Sequence, residues 1–199
     1  MIKKQINQND IFSSEFLRSV EDAYSFNNSP IDRTINKPKS IDKQRMLEAL
    51  KRKIEQIKDC DLKNNAKKIV FSDGKDDSPL MIVGEAPGEK EDEIGKPFVG
   101  EAGLLLNKML TAIKIKREDL YITNLVNYRP PDNRKPDAKE IIRYSKYLKE
   151  HISIINPRIL IIMGSAAMEA LFGNKIKISN ERGTWKEIII NNKTYQTII

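Results

Sequence analysis

Two loops of the sequence hold most of the residues that could bind a small molecule or act on it. The first is GEAPGEKEDEIGKPFVG (84–100), with five acidic residues, four glycines and two prolines. Glycines let the backbone turn sharply and approach a ligand closely, and Pro87 stiffens the turn. A phosphate-binding P-loop ends in Gly-Lys-Ser/Thr, which this loop lacks, and its carboxylates would repel a phosphate. The loop therefore excludes a nucleoside-triphosphate site.

The second loop is TNLVNYRPPDNRKP (123–136), in which an asparagine stands at a predicted strand end. The side-chain amide of Asn124 offers both a donor and an acceptor to one edge of a base. Arg129, Arg134 and Lys135 bracket two prolines and are candidates for contacts with backbone phosphates. Taken singly, a loop asparagine is more often a turn or capping residue, and loop cations are more often merely solvated. If both loops converge at one sheet edge, however, Phe98 stacks on a flat heterocycle and Asn124 reads its polar edge.

From about residue 66 onward, predicted strands and helices alternate. Strands are predicted at 80–84, 121–126 and 158–164, helices at 102–113, 137–155 and 165–173, and a final hairpin at 185–190 and 194–199. Repeated strand–helix–strand units predict a three-layer α/β/α sandwich with a central, mainly parallel sheet. Ligands of such sheets bind at the carboxyl ends of the strands, which is where both loops begin.

The N-terminal part of the chain has a different pattern. A short helix is predicted at 15–24, followed by a polar linker at 27–42 that two prolines interrupt. A second helix is predicted from an N-cap at Ser40 to about residue 58. Its apolar residues recur at steps of three and four, which predicts a stripe that docks on the main domain rather than on a coiled-coil partner. The stripe consists of Leu47, Leu50, Ile54 and Ile57. We therefore predict a helical extension with its linker over 1–58 and an α/β domain over 59–199.

Composition narrows the class of protein and its surroundings. The formal net charge of +7 favours a polyanionic partner such as DNA, because neutralised phosphates release counterions. The single cysteine, Cys60, cannot form an internal disulfide, which fits a reducing compartment. No apolar run approaches the roughly 20 residues needed to cross a bilayer, and the N-terminus lacks a signal-peptide core. We expect a monomer in the cytoplasm without a membrane partner.

Several long motifs together resemble the family-4 uracil-DNA glycosylases. The similar segments are GEAPGEKED, GKPFVGEAGLLLNKML, YITNLVNYRPPDNRKP, INPRILIIMGSAAMEALFG and ERGTW. They occur in the order and at the spacing of that family, and the likeness covers residues 60–199. The resemblance implies an enzyme of DNA base-excision repair that hydrolyses the N-glycosidic bond of uracil in DNA.

The resemblance also implies roles for residues of both loops. Glu85 and Glu91 are the candidates for placing the attacking water and stabilising positive charge on the sugar. Phe98 matches the position that stacks on uracil, and Asn124 the position that hydrogen-bonds its Watson–Crick edge. The uracil must first be flipped out of the base stack. The motif that frames the pocket floor also contains Ala86 and Gly88.

Most members of this family hold a four-iron, four-sulfur cluster with four cysteines. Aligned on GEAPG, those positions fall on Ile57, Cys60, Tyr128 and Tyr144 of this chain. One thiolate cannot hold such a cluster, and phenols do not replace three thiolates. We therefore expect no cluster and no metal or other cofactor, with Cys60 as a small, half-buried residue.

The family's second motif, His-Pro-Ser, follows the strand that TYQTII resembles, and the sequence here stops at Ile199. The single histidine, His151, lies in a predicted helix and is expected at the surface or at an interface. Loss of one donor to the developing anion typically costs about 10²–10³ in rate. We therefore expect a C-terminally incomplete domain with weak or absent glycosylase activity.

Two other functions stay open from the sequence. One is a binding module of the same fold, which recognises uracil or single-stranded DNA without cleaving it. The other is an α/β protein that binds a different small heterocycle, with its basic charge incidental.

Overall fold

The computed structural model of the chain describes residues 40–173 and 177–199. The helix predicted at 15–24 and nearly all of the linker predicted at 27–42 lie outside these ranges. Within them, six strands join in one mixed sheet in the order β1-β3-β2-β4-β6-β5. The strands are β1 Ser72–Gly74, β2 Leu80–Gly84, β3 Tyr121–Asn124, β4 Ile159–Ile162, β5 Trp185–Ile190 and β6 Lys193–Ile198.

The four inner strands β3, β2, β4 and β6 are parallel to one another. The edge strands β1 and β5 instead pair antiparallel with their neighbours. The hairpin of β5 and β6 turns at Asn191 and Asn192, both of which have positive φ. The mainly parallel sheet predicted from the sequence is therefore confirmed.

The described ranges contain seven α-helices, and none of them is long and apolar enough to cross a membrane. Short 3₁₀ turns precede β3, at Arg117–Asp119, and α5, at Pro131–Asn133. The α-helices are α1 Ser40–Glu55, α2 Asp61–Asn65, α3 Glu89–Ile94, α4 Glu101–Ala112, α5 Ala138–Ile155, α6 Ser165–Phe172 and α7 Ile178–Glu181.

The inner strands bury side chains on both faces of the sheet. In β2, Met81 and Val83 belong to the core that α1, α5 and α6 cover. Ile82, between them, belongs to a second core with Leu106 and Leu110 of α4. Successive residues of a strand point to opposite faces, so helices cover the sheet from both sides. This confirms the three-layer α/β/α sandwich.

The apolar stripe of α1 packs into the main core, although the helix ends at Glu55 rather than near residue 58. Leu50 and Ile54 are fully buried, and Leu47 is nearly so. Ile57 follows the helix and is half-buried against the same core. The domain boundary between residues 58 and 59 stays a prediction.

The expectation that His151 lies at the surface or at an interface is wrong. The side chain is 2% exposed, on the face of α5 that also buries Leu148 and Ile152. Its ring stacks on Phe71 with 4.6 Å between centroids, and its Nε2 lies 2.7 Å from the Tyr121 hydroxyl. The position on the buried face of the helix, rather than the polarity of the residue, decides where this side chain goes.

Substituting Leu50 tests whether α1 is an integral part of the core. Leu50→Ala removes a fully buried side chain, and such truncations lower the free energy of unfolding by about 2–5 kcal/mol. Met46→Ala on the same helix, where the side chain is 48% exposed, serves as the control and should change it by less than about 0.5 kcal/mol. Urea unfolding at pH 7 measures both. Equal stability of the two variants would contradict the packing of α1 in the core.

Burial of His151 makes stability depend on pH. Burial lowers the pKa of His151 to about 3 in the folded protein, whereas the unfolded value is about 6.5. Between these values the unfolded chain binds a proton that the folded chain does not, so stability present above pH 6.5 is lost as the pH falls. From pH 7 to pH 5 we expect a loss of about 2 kcal/mol from this residue.

Urea unfolding of the wild type and of His151→Gln at both pH values isolates the contribution, because the other titrating groups are common to the two proteins. The variant should show the smaller loss between pH 7 and pH 5. The same loss in both proteins would show that this histidine does not cause the pH dependence.

Candidate active site

A cavity of about 300 Å³ opens at the carboxyl ends of three neighbouring strands, β2, β3 and β4. This volume lies at the small end of the range of roughly 300–1,000 Å³ that is usual for ligand pockets. All six pocket residues predicted from the sequence line it, so the two loops do converge at one sheet edge. The lining residues are Glu85, Ala86, Gly88, Glu91, Phe98, Gly100, Glu101, Ala102, Asn124 and Met163.

The last residue of β2, Gly84, brings the two predicted recognition groups together. A Cβ atom at this position would lie 2.4 Å from Oδ1 of Asn124 and 2.7 Å from the ring of Phe98. Real Cβ atoms do not come so close to their neighbours, so only glycine fits here without displacing either side chain. The amide and the ring therefore both lie directly against the backbone of residue 84.

Asn124 ends β3, and its side chain is 4% exposed. Within the described ranges its amide makes no hydrogen bond to the protein, although it lines the cavity. Asn127, three residues on, is equally buried, but its Nδ2 donates to the carbonyl of Val70 at 3.1 Å. Asn124 thus holds free donors and an acceptor at the cavity wall.

Phe98 has φ of 52°, in the left-handed region. A bulky residue in that region is an outlier with a cost of order 1–3 kcal/mol, and such outliers concentrate at functional sites. The close packing of α4 helps to impose it, because a Cβ atom on Gly103 would lie 1.9 Å from the Phe98 carbonyl oxygen. This unusual backbone carries the ring to Gly84.

Glu91 fastens the loop around the cavity. Its Oε1 accepts from the N–H groups of Val99 at 2.8 Å and Gly100 at 2.7 Å, and its Oε2 accepts from the N–H of Gly88 at 3.2 Å. The last bond is half of a capping box at the start of α3. Both carboxylate oxygens thus bind backbone amides, which ties the two ends of the loop together.

Glu85 has a different environment from that of Glu91. Its Oε1 accepts from the N–H of Ala166 at 2.7 Å and from the Ser165 hydroxyl at 3.0 Å. These groups begin α6, where the helix dipole favours negative charge. A Cβ atom on Gly164 would lie 2.3 Å from Cγ of Glu85, so this glycine leaves room for the side chain. Among the described residues, Oε2 of Glu85 has no hydrogen-bond partner and is free to bind a ligand or water.

The three cations predicted to contact DNA have unequal surroundings. Both guanidinium ends of Arg134 bind the carboxylate of Glu140, at 2.8 and 2.7 Å. Arg129 donates to Asn133 at 2.8 Å and lies 3.9 Å from Glu89. Lys135 lies 3.5 Å from the hydroxyl of Ser165, the residue that holds Glu85. Of the three, Lys135 is connected to the cavity, because it contacts Ser165, whose hydroxyl donates to Glu85.

Sequence reasoning did not single out several residues that line the cavity or support it. Met163 directly follows β4, so the rule that ligands bind at strand ends could have found it. Ser165 begins the helix after that strand and was available from the same signal. The other lining residues that were not predicted lie where the first loop runs into α4: Gly100, Glu101 and Ala102.

Known proteins resemble this chain across the whole described sheet. The sequence model of the family described as the uracil DNA glycosylase superfamily matches residues 71–198. The chain is 37% identical to the type-4 uracil-DNA glycosylase of Thermotoga maritima over 142 residues, 71% of this chain and 74% of that protein. It is 39% identical to the type-4 enzyme of Sulfurisphaera tokodaii, over 72% of this chain and 71% of that protein. Identity to the type-4 enzyme of Pyrobaculum aerophilum is 44%, over 59% of this chain and 61% of that protein.

These relatives correct the expectation about the cofactor. Type-4 uracil-DNA glycosylases are the iron–sulfur cluster family, so the prediction that no cofactor is involved is wrong: the family points to a cluster. The residues at the expected ligand positions are Ile57, Cys60, Tyr128 and Tyr144. Cys60 is buried rather than half-buried, with its Sγ 3.4 Å from the hydroxyl of Tyr144. This set offers one thiol and does not fit a cluster held by four thiolates.

The position of the two cavity loops in the sheet and the similarity to known proteins indicate the same family. The superfamily match spans all six strands, and the segments similar to the type-4 relatives include both loops of the cavity. This chain therefore belongs to the uracil-DNA glycosylase superfamily and, within it, to the type-4 enzymes.

Proposed function

We propose that this protein excises uracil from DNA by hydrolysing the N-glycosidic bond of a flipped-out deoxyuridine. The observation that carries the proposal is the amide of Asn124, which has no hydrogen-bond partner among the described residues and lines a cavity of about 300 Å³ together with Phe98. The names of the type-4 relatives state the same activity for those proteins. A cavity at the strand ends, with Phe98 and Asn124 in its wall, suits one planar base.

Recognition of the base follows from two groups. Nδ2 of Asn124 donates to O4 of uracil, and Oδ1 accepts from its N3–H group, so the amide satisfies both polar atoms of that edge. Cytosine presents a donor instead of O4 and leaves the Asn124 donor opposed by another donor. Phe98 stacks on the face of the ring and supplies affinity without regard to base identity.

The chemical step needs a carboxylate close to the sugar. Breaking the glycosidic bond leaves a cation-like sugar and a uracil anion. Water then adds to the sugar carbon, and the proton that it releases neutralises the uracil anion. We assign the stabilising and water-placing role to Glu85, since Ala166 and Ser165 fix its Oε1 and its Oε2 stays free. Glu91 was expected to share this role, but both of its oxygens bind backbone amides. We therefore assign Glu91 to holding the loop.

Binding of DNA rests on charge outside the cavity. The net charge of +7 attracts the phosphate backbone, and Lys135 stands beside the hydroxyl that orients Glu85. We assign phosphate contacts to Lys135 and Arg129, and to Arg134 where its ion pair with Glu140 opens. Such contacts hold the duplex while the uracil is extruded from the stack.

The proposed setting of the enzyme is the cytoplasm, where it acts as a monomer. The single cysteine of the chain supports a reducing compartment. Gel filtration with light scattering measures the oligomeric state directly.

Release of uracil from a labelled oligonucleotide tests the function. We expect product from a uracil-containing strand and none from the matched thymine strand. Asn124→Ala should lower kcat/KM about 10- to 100-fold, the equivalent of losing hydrogen bonds worth about 1–3 kcal/mol. Asn64→Ala, at an exposed position on α2, is the control and should match the wild type.

The wild type contradicts the proposal if it releases no uracil from single- or double-stranded DNA. Binding assays on the same oligonucleotides then decide what remains. A preference for uracil over thymine that weakens steeply with salt, without product, would establish a binding module instead.

Glu85→Gln separates binding from chemistry. The substitution keeps the shape of the side chain but removes the charge that stabilises the sugar cation, so kcat should fall by about 10²-fold with KM nearly unchanged. Glu169→Gln on α6 is the matched control, because that carboxylate does not line the cavity. Single-turnover kinetics measure both variants. An unchanged kcat in Glu85→Gln would remove Glu85 from the chemical step.

A further inference from the structure

The loop that carries Phe98 is held from two sides. On one side Glu91 binds the N–H groups of Val99 and Gly100. The carbonyl groups that precede them, those of Pro97 and Phe98, point to a different partner. That partner is Arg117, in the 3₁₀ turn before β3 and 19 residues away from Phe98 along the chain.

The Arg117 guanidinium makes four hydrogen bonds and an ion pair. Nη1 donates to the Phe98 carbonyl at 3.0 Å and to Oδ1 of Asn107 at 3.2 Å. Nη2 donates to the Pro97 carbonyl at 2.7 Å and lies 3.0 Å from Oδ2 of Asp73. Nε donates to the same Asp73 oxygen at 3.1 Å. Four hydrogen bonds thus join the guanidinium to two loop carbonyls and two side chains.

Asp73 connects this arrangement to the sheet. It is the middle residue of the edge strand β1, paired with Ile122 of β3. Its other oxygen, Oδ1, lies 3.2 Å from Nζ of Lys96, in the same loop as Phe98. Burial acts to raise the pKa of the Asp73 carboxyl, but the hydrogen bonds from Lys96 and Arg117 outweigh it and lower the pKa. The carboxylate therefore stays charged and keeps the guanidinium in place.

We infer that Arg117 is a positioning residue for base recognition, which fixes the left-handed backbone of Phe98 and so keeps the ring against Gly84 beside Asn124. The guanidinium does not line the cavity; it acts on the base through Phe98. This inference rests on the proposed function, because the stacked base is taken to be uracil.

The geometry requires arginine rather than any cation. A planar guanidinium presents its five donors in a fixed fork, whereas a lysine ammonium presents three donors from a flexible stem. The three donors of a lysine at residue 117 cannot meet both loop carbonyls, Asn107 and Asp73 at once, although its charge opposite Asp73 is kept. Arg117→Lys thus separates the contribution of the charge from that of the fork.

The test combines kinetics with a double-mutant cycle. Arg117→Gln and Arg117→Lys should each lower kcat/KM for uracil release, by up to about 10²-fold for a displacement of the order of 1 Å. The double variant Arg117→Gln/Phe98→Ala should be no worse than Phe98→Ala alone, because the arginine acts through the ring. Arg143→Gln is the control, since Arg143 also donates to a backbone carbonyl, that of Asp59 at 2.9 Å.

Hydrogen exchange supplies a readout that does not depend on activity. In Arg117→Gln the amides of residues 95, 96 and 98–100 should exchange faster, while those of β2 and β3 keep their wild-type rates. Circular dichroism at the assay temperature confirms that each variant is folded. The inference is overturned if loop exchange is unchanged, or if the losses of Arg117→Gln and Phe98→Ala multiply in the double variant.

The failure of this inference differs from failure of the proposed function. A wild type that releases uracil, with Arg117→Gln as active as Arg143→Gln, defeats the inference alone. A wild type that releases none defeats the proposed function, and with it the link to uracil, while hydrogen exchange still decides whether Arg117 holds Phe98.

Discussion

The backbone of Gly84 lies in contact with two side chains that arrive from different parts of the chain, the amide of Asn124 and the ring of Phe98. The parallel pairing of β2 and β3 sets Gly84 directly opposite Asn124. Phe98 reaches the same place from a loop and needs a left-handed backbone to do so. The shape of the cavity, the orientation of the amide and the room for one planar ring all depend on this close approach.

The side chains that line the cavity carry negative charge, whereas the net charge of the whole protein is positive. Three carboxylates, those of Glu85, Glu91 and Glu101, line the cavity of a chain whose net charge is +7. Glu85 and Glu91 both bind backbone N–H groups, so their positions are fixed before a substrate is present. In the proposed mechanism these carboxylates supply negative charge where the sugar cation would develop, and the positive net charge of the protein would attract the DNA backbone.

Much of the fold could be predicted from the sequence, because apolar runs typical of buried strands alternate with segments whose apolar residues recur at helical spacing. The strand ends then located Glu85 and Asn124, because loops that leave parallel strands at one edge must meet there. His151 was misplaced, since a polar residue type says less than its position on the buried face of α5. The supporting residues were harder to predict. Arg117 binds Asp73, 44 residues away, and the carbonyls of Pro97 and Phe98, and nothing local in its sequence distinguishes it from a solvated cation. Pairings so distant in sequence appear only once the chain is folded.

Residues 97–100 are held by hydrogen bonds from two sides, which affects the kinetics of binding. Amides held by Glu91 and carbonyls held by Arg117 leave the Phe98 segment little freedom to rearrange. If the proposed function holds, a nucleotide enters a cavity that already has its final width, so little ordering entropy is lost on binding. We then expect base flipping, rather than rearrangement of the protein, to be the slow event. Damaged or weakly paired sites open more often and should be bound first.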